Sequence, residues 1–214
     1  MKQSRLLLAI LTASTMLLIL SVSIAVPILV RPFYYAHVFF LQLPARTGWT
    51  GQEICSAYNE MLNFCLFGTP FGTGVLRWSQ TGMQHFADCA RLFRLDFCIL
   101  FLSALALLIC HFVMRRGLLP TRPLGHGFGF WAGSLLAGLF AVVALLSALD
   151  FNRAFTIFHQ LFFPGKTNWL FDPTTDQIIL VLPQVYFRNC AILILALILS
   201  SCALLILRDR KNQI

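Results

Sequence analysis

Two histidines carry the chemistry this sequence can do. His85 stands in SQTGMQHFADCARLFRL (residues 79–95) and His159 in FHQLFFPGKTNWLFDPTTD (residues 158–176). In the first stretch helical spacing brings His85, Cys89 and Leu92 onto one face, with Asp88 one turn along from His85. A carboxylate there could hydrogen-bond the imidazole and fix its tautomer, as an orienting group does in catalytic dyads. The competing reading pairs Asp88 with Arg91 and leaves His85 filling an interfacial surface. In the second stretch Phe151, Phe155, Phe158 and Phe162 repeat at helical intervals, which predicts a short helix lying along a membrane surface. His159 borders that stripe, where partial desolvation disfavours the imidazolium and keeps the ring able to accept a proton. The plain alternative is a belt histidine without chemistry. The outer segments hold no GxSxG elbow and no Ser or Cys with an adjacent His, so a covalent acyl-enzyme is not expected.

What must position these residues is a membrane. Of the 214 residues, 58% are hydrophobic and 11% charged, with a mean hydropathy of +0.79, against about 25% charged in a soluble domain. Four apolar runs, about 6–30, 95–114, 127–149 and 189–207, reach the roughly 20 residues that a spanning helix needs. In lipid each backbone must satisfy its own hydrogen bonds, so all four are read as helices. The expectation is an all-α membrane protein with four transmembrane helices and a small extracellular cap. The cap is formed by the loops after spans one and three, about 31–94 and 150–188, and the whole of 1–214 is one integral membrane domain. The first run exceeds the roughly 7–15 apolar residues of a signal peptide and is read as an uncleaved anchor.

Orientation follows from the bases. Lys2 and Arg5 precede span one, Arg115, Arg116 and Arg122 lie between spans two and three, and Arg208, Arg210 and Lys211 follow span four. These short segments share a single acid, Asp209, so they are cytoplasmic by the positive-inside rule, with both termini inside and the cap outside a plasma membrane. The net charge of +8 therefore marks topology, and no basic cluster is large enough for a nucleic-acid surface.

Local signals fill in the cap. RPFYYAHVFFLQLP, with Phe33, Tyr34, Tyr35, His37, Phe39 and Phe40, reads as an interfacial aromatic belt. Thr81 and Gln84 fit a capping box opening a helix. Pro164 and Gly165 stop the helix that bears His159, and Asp172 before Pro173 fits an N-cap restarting a helix or turn. Asn168 and Asp176 suit either structure or chemistry. Of seven cysteines, Cys98, Cys110, Cys190 and Cys202 fall in spans, and Cys55, Cys65 and Cys89 lie outside. A Cys55–Cys65 disulfide suits an oxidising compartment, although spacing does not fix it. No CxxC or HExxH appears, so a zinc site lacks its usual spacing and no metal or cofactor is expected. His111 and His126 belong to the cytoplasmic side. Ser134 and Gly138 form a small-xxx-small step for close helix packing.

Taken together, the four spans, FYY after the first of them, TGWTGQEI…AYNEML from Thr47 to Leu62, HFADCARLF, and FHQLFFPGKTNWLFDPTTDQIILVLPQVYF resemble the lipoprotein intramolecular transacylase family, Lit, of Gram-positive bacteria. The resemblance covers essentially the whole chain; Gln184 and the outer cysteines depart from it. It implies four transmembrane helices under an extracellular cap and two catalytic histidines, His85 and His159, at the cap–membrane boundary. It also implies a diacylated lipoprotein substrate, met in membrane lipid, whose sn-2 fatty acid moves to the N-terminal amino group to give the lyso form. One histidine would take the amine proton while the other binds the oxyanion or orients the first. His85 is placed as base because Asp88 can orient it, and the exchange of roles stays open. Tyr34, Tyr35, Asn168 and Trp169 are candidates for shaping the pocket, with Asp172 and Asp176 as further orienting or binding groups. Two other classes remain in view: a non-enzymatic tetraspan scaffold with a Cys55–Cys65 bridge, and a metal-dependent lipid hydrolase using His85, His159 and an aspartate.

Overall fold

A computed structural model describes residues 2–211. Along them run α1 (Arg5–Leu29), α2 (Arg31–Phe40), α3 (Leu43–Thr47), α4 (Gly51–Phe67), α5 (Gln80–Arg115), α6 (Phe128–Leu149), α7 (Phe151–Phe162), α8 (Ile178–Val181) and α9 (Gln184–Lys211). A short parallel pair, β1 (Lys2–Ser4) with β2 (Leu118–Pro120), sets Lys2 opposite Leu118. Helices α1, α5, α6 and α9 are long and apolar enough to cross a membrane, and each overlaps one of the four runs read from the sequence. Of these, α5 and α9 begin well before the apolar run, because a helix continues to its cap whereas hydropathy marks only the lipid-matched part. The 36 residues of α5 make a rod of about 54 Å, well beyond the ~30 Å of a hydrocarbon core. Its crossing part is the apolar stretch from Leu95 onward, and residues 80–94 lie outside it.

The start of α5 differs from expectation by two residues. Ser79 is the cap, its Oγ accepting from the Gly82 N–H at 3.0 Å. The reciprocal capping box is on α4, where Thr50 accepts from the Glu53 N–H and Glu53 from the Thr50 N–H.

The chain divides into two compact units. One contains residues up to 26, 96–149 and those from 192 onward. Its buried clusters are small, Leu7, Leu11 and Cys110 in one and Leu136, Ile198 and Cys202 in the other. Phe101, Leu102, Leu145 and Leu204 are exposed, as expected of helices whose outer faces meet lipid. Close packing of α6 on α9 is set by Gly133, where a Cβ would come within 2.9 Å of the Cys202 carbonyl. Gly138 has nothing within 4 Å, so the small-residue step is Gly129-xxx-Gly133 rather than Ser134-xxx-Gly138. Asp209 accepts from the Gly127 N–H at 3.0 Å and bonds His126 Nδ1 at 2.8 Å, tying the end of α9 to the segment before α6.

The other unit contains residues 27–95 and 150–191, around a core that includes Tyr34, Val38, Ile54, Tyr58, Leu62, Val181 and Tyr186. Each large apolar side chain so buried contributes roughly 1.5–3 kcal/mol. The expected aromatic belt is only half a belt. Phe39 and Phe40 are 72% and 82% exposed, but helical periodicity turns Tyr34 inward, stacked on Tyr58 at 3.8 Å with its hydroxyl donating to the Val181 carbonyl. His37 is buried too, with Nδ1 on the Phe33 carbonyl and Nε2 accepting from Asn189 at 2.9 Å. All seven cysteines are free. Cys55 and Cys65 both lie on α4, ten positions or about 15 Å apart, beyond the ~7 Å that a disulfide bridges. The bridge required by a tetraspan scaffold therefore does not form.

Candidate active site

Two segments of this second unit deliver the histidines. His85 sits near the start of α5, held by the Ser79 cap. His159 is the buried residue of α7, which begins at Asp150, whose carboxylate accepts from the Arg153 N–H at 3.0 Å. The helix ends at Phe163, ahead of Pro164 and Gly165, and Gly165 has φ +72°, a left-handed conformation that favours glycine. The two imidazoles stack with centroids 5.9 Å apart and planes inclined by 30°, and they are 5% and 8% exposed. Phe163 and Phe171 present themselves to His85 at 4.9 and 5.4 Å. Phe155 and Trp169 flank His159 at 4.2 and 4.6 Å.

Hydrogen bonds set the protons. His159 Nδ1 lies 2.8 Å from the Phe155 carbonyl, which only accepts, so Nδ1 carries the proton and Nε2 holds a lone pair. Nε2 has no hydrogen bond among the described residues. His85 Nε2 lies 3.5 Å from Cys89 Sγ, and His85 Nδ1 is enclosed without a partner among the described residues. Burial pushes His85 down to about 4; the neighbouring His159 adds to the fall, Asp88 opposes it, and Lys166 lowers it further. Burial also lowers His159, partly offset by its bond to the Phe155 carbonyl. Both rings are therefore neutral near pH 7 and available for proton transfer. Burial pushes the Cys89 thiol far above its ordinary value, so it keeps its proton: a weak donor to the imidazole and a poor nucleophile. The expectation that no thiol neighbours a histidine fails here, since Cys89 Sγ lies 3.5 Å from His85 Nε2.

Asp88 does not hold His85. Its carboxylate accepts from Lys166 at 2.5 Å, Asn168 at 3.1 Å and Arg91 at 3.0 Å. Burial pushes the carboxyl up, but the bonds from Lys166 and Asn168 and the charges of Lys166 and Arg91 outweigh it and hold the group below its usual range. Asp88 is thus a clamp between α5 and the loop after α7, because two cations and an amide offer a carboxylate more than a neutral imidazole does. Asp176 is also an anchor, accepting from the Ser79 N–H at 2.8 Å and the Ser79 hydroxyl at 2.7 Å. Asp172 is exposed and closes a turn, accepting from the Thr174 N–H at 2.8 Å and its hydroxyl at 2.7 Å. Tyr34 belongs to the core, and Tyr35 donates to Asn59 at 2.8 Å; neither bonds a histidine among the described residues.

Of the residues expected beside the pair, Trp169 lies on His159 and Asn168 reaches the site through Asp88. Sequence reasoning missed Phe163, Phe171, Lys166 and Cys89 as site residues. Cys89 was signalled by its helical step from His85, and Phe163 by the double phenylalanine before Pro164. Among the described residues no three His, Cys, Asp or Glu side chains converge as metal ligands would.

The fold defines an all-α, multi-pass membrane protein, and its second unit buries a pair of stacked histidines. The family described as lipoprotein intramolecular transacylase Lit matches residues 9–187. This chain belongs to that family, and its function is that of an intramolecular lipoprotein transacylase. The in meso structure of the membrane integral lipoprotein intramolecular transacylase Lit from Bacillus cereus is similar, with a TM-score of 0.83 and 24% identity over 97% of this chain and 94% of that one. Two further structures of that protein carry, in its own numbering, the mutations H85R and H85A. Each matches with a TM-score of 0.79 and 22% identity, over 97% of this chain and 90% and 92% of theirs. Comparison with curated proteins found no match.

Proposed function

We propose that this chain moves the sn-2 fatty acid of a diacylglyceryl-cysteine to that cysteine's own amino group, leaving an N-acyl, S-monoacylglyceryl lipoprotein, and that His85 and His159 carry the proton work. The observation supporting this is the pair of neutral imidazoles 5.9 Å apart within a ring of aromatic side chains. The amine attacks the ester carbonyl, a C–N bond forms, the glyceryl C–O bond breaks, and one proton passes from nitrogen to the departing oxygen. His159 Nε2, with its lone pair fixed by the Nδ1–Phe155 bond, takes that proton and returns it to the leaving oxygen. With the Cys89 S–H donating to His85 Nε2, the ring proton sits on Nδ1, a donor without a partner among the described residues that reaches the developing oxyanion once the substrate displaces the lining enclosing it. The assignment exchanges the roles expected when Asp88 was taken to orient His85.

The substrate supplies both nucleophile and acyl donor, so the protein's task is to hold an otherwise rare folded conformation. Positioning can lower such a barrier by up to roughly 7–11 kcal/mol, and acid–base help adds about 10²–10⁴-fold. The basic segments support a reading with both termini in the cytoplasm and the histidine-bearing unit outside a plasma membrane, the side that a diacylated lipoprotein substrate would occupy. Residues 1–214 are read as one integral membrane domain, in the lipid that also carries the substrate.

The test compares wild type with His85→Ala and His159→Ala in a strain making only diacylated lipoproteins, reading N-terminal peptides by mass spectrometry. Each variant is expected to lose N-acylated product at equal membrane abundance. A normal yield from either removes that histidine from the mechanism.

A further inference from the structure

A polar groove of about 590 Å³ lies between the start of α5 and the loop after α7. Thr81, Gln84, Asp88 and Arg91 line one wall at i, i+3, i+7 and i+10, a single helical stripe, and residues 165–168 line the other. His85, four positions after Thr81 and three before Asp88, borders that stripe. The two segments that deliver the imidazoles therefore also build the groove.

Its polar groups are unbalanced in two ways. Two cations, Arg91 and Lys166, share one carboxylate, Asp88, and their side chains remain 70% and 42% exposed. Asn168 spends its amide N–H on Asp88, while its Oδ1 is enclosed without a partner among the described residues. An acyl chain is poorly matched to the charged part of these walls, since it would strip water from the cations without replacing it. An extended polypeptide could use the exposed cations, offering them carboxylates in place of the water it displaces.

We propose that this groove receives the polypeptide arm that follows the acylated cysteine, and favours acidic over basic side chains in its first few positions. The inference rests on the transacylase reading, in which the arm leaves the same cysteine whose amine reacts. It adds a determinant of which lipoproteins are processed.

The experiment uses three synthetic substrates: diacylglyceryl-cysteine bearing a glutamate-containing arm, one bearing a lysine-containing arm, and an armless diacylglyceryl-cysteine amide. Purified wild type and Arg91→Glu are compared in lipid-doped micelles, with N-acyl product quantified by mass spectrometry. Arg91 is exposed and outside the proton-transfer machinery, and its reversal turns two positive charges against one negative into one against two. Wild type should favour the glutamate arm over the lysine arm by about fivefold in kcat/KM, carried by KM, the size expected of a partly exposed charge pair. Arg91→Glu should invert that order, read as the ratio of the two arms after each is divided by the same enzyme's rate on the armless substrate, so that any loss from loosening the Asp88 clamp cancels. If both enzymes make product from both arms without preference, the groove assignment is overturned. If wild type makes no N-acyl product even from the armless substrate, the transacylase reading fails and the assignment falls with it.

Discussion

Replacing Asp88 separates a clamp from an imidazole-orienting group. Its side chain is 8% exposed and accepts from Lys166 at 2.5 Å, Asn168 at 3.1 Å and Arg91 at 3.0 Å. A hydrogen bond to a charged group contributes about 1.5–3 kcal/mol. The Arg91 pair, with the guanidinium 70% exposed, adds only ~0–1 kcal/mol because solvent screens it. Asp88→Ala should therefore free the loop after α7 at a cost of about 2 kcal/mol, up to about 30-fold in the population that holds Trp169 against His159. Asp88→Asn keeps a neutral bond to Asn168 and should lose about three- to tenfold. Removing this carboxylate also removes the one influence that raises His85, so the acid limb of the pH profile should not move upward. The assay is initial rate of N-acylation of a synthetic diacylglyceryl-cysteine peptide, with the variants matched for folded protein. Loss of a carboxylate that fixes a catalytic tautomer costs about 10⁴-fold. An Asp88→Asn rate down by more than about 10³ would refute the clamp and restore the orienting role.

Three further outcomes follow from the same contacts. Both histidines are lowered in the folded protein, so it binds fewer protons than the unfolded chain. Their stabilisation is complete above the ordinary value of about 6.5 and is lost as pH falls towards about 4 for His85. Thermal midpoints should fall through that window, and kcat should hold to below pH 6; a limb centred at 6.5 would contradict the burial argument. Gly82→Ala, normally worth about 1 kcal/mol to a helix, should instead destabilise by about 1–3 kcal/mol. Its Cβ would lie 2.8 Å from Asp176 Cγ and 3.1 Å from Phe171, as a thermal-shift measurement would register. Cys89→Ala should lower kcat by about three- to tenfold with KM unchanged, and Cys89→Ser should recover most of it, since the hydroxyl replaces the donor to His85; equal rates for both variants would assign Cys89 to packing alone.

The spans were legible because lipid imposes a continuous apolar run, a one-dimensional signal. The two histidines stood out as candidates by helical spacing, His85 from its step to Asp88 and His159 from the phenylalanine stripe it borders. What spacing could not show was the competition for partners. Asp88 stands three residues from His85, yet its bonds go to Lys166 and Asn168, 78 and 80 positions away. Asp176 goes to Ser79 across 97 positions. Tyr34 was misread because an aromatic run after a span suits an interface, and only packing against Tyr58 and Val181 reveals which rings turn inward. The Cys55–Cys65 question could have been closed earlier, since one unbroken helix over residues 51–67 separates two thiols ten positions apart too far to join.

The rings of Phe155, Phe163, Trp169 and Phe171 around the imidazoles bear on the fate of the acyl group. An ester carbonyl activated beside a neutral imidazole is as open to hydroxide as to an amine. Flat apolar faces leave solvent few footholds there, so the tethered amine meets little competition. The same lining that makes the place hospitable to fat would thus keep an acyltransferase from leaking into a lipase.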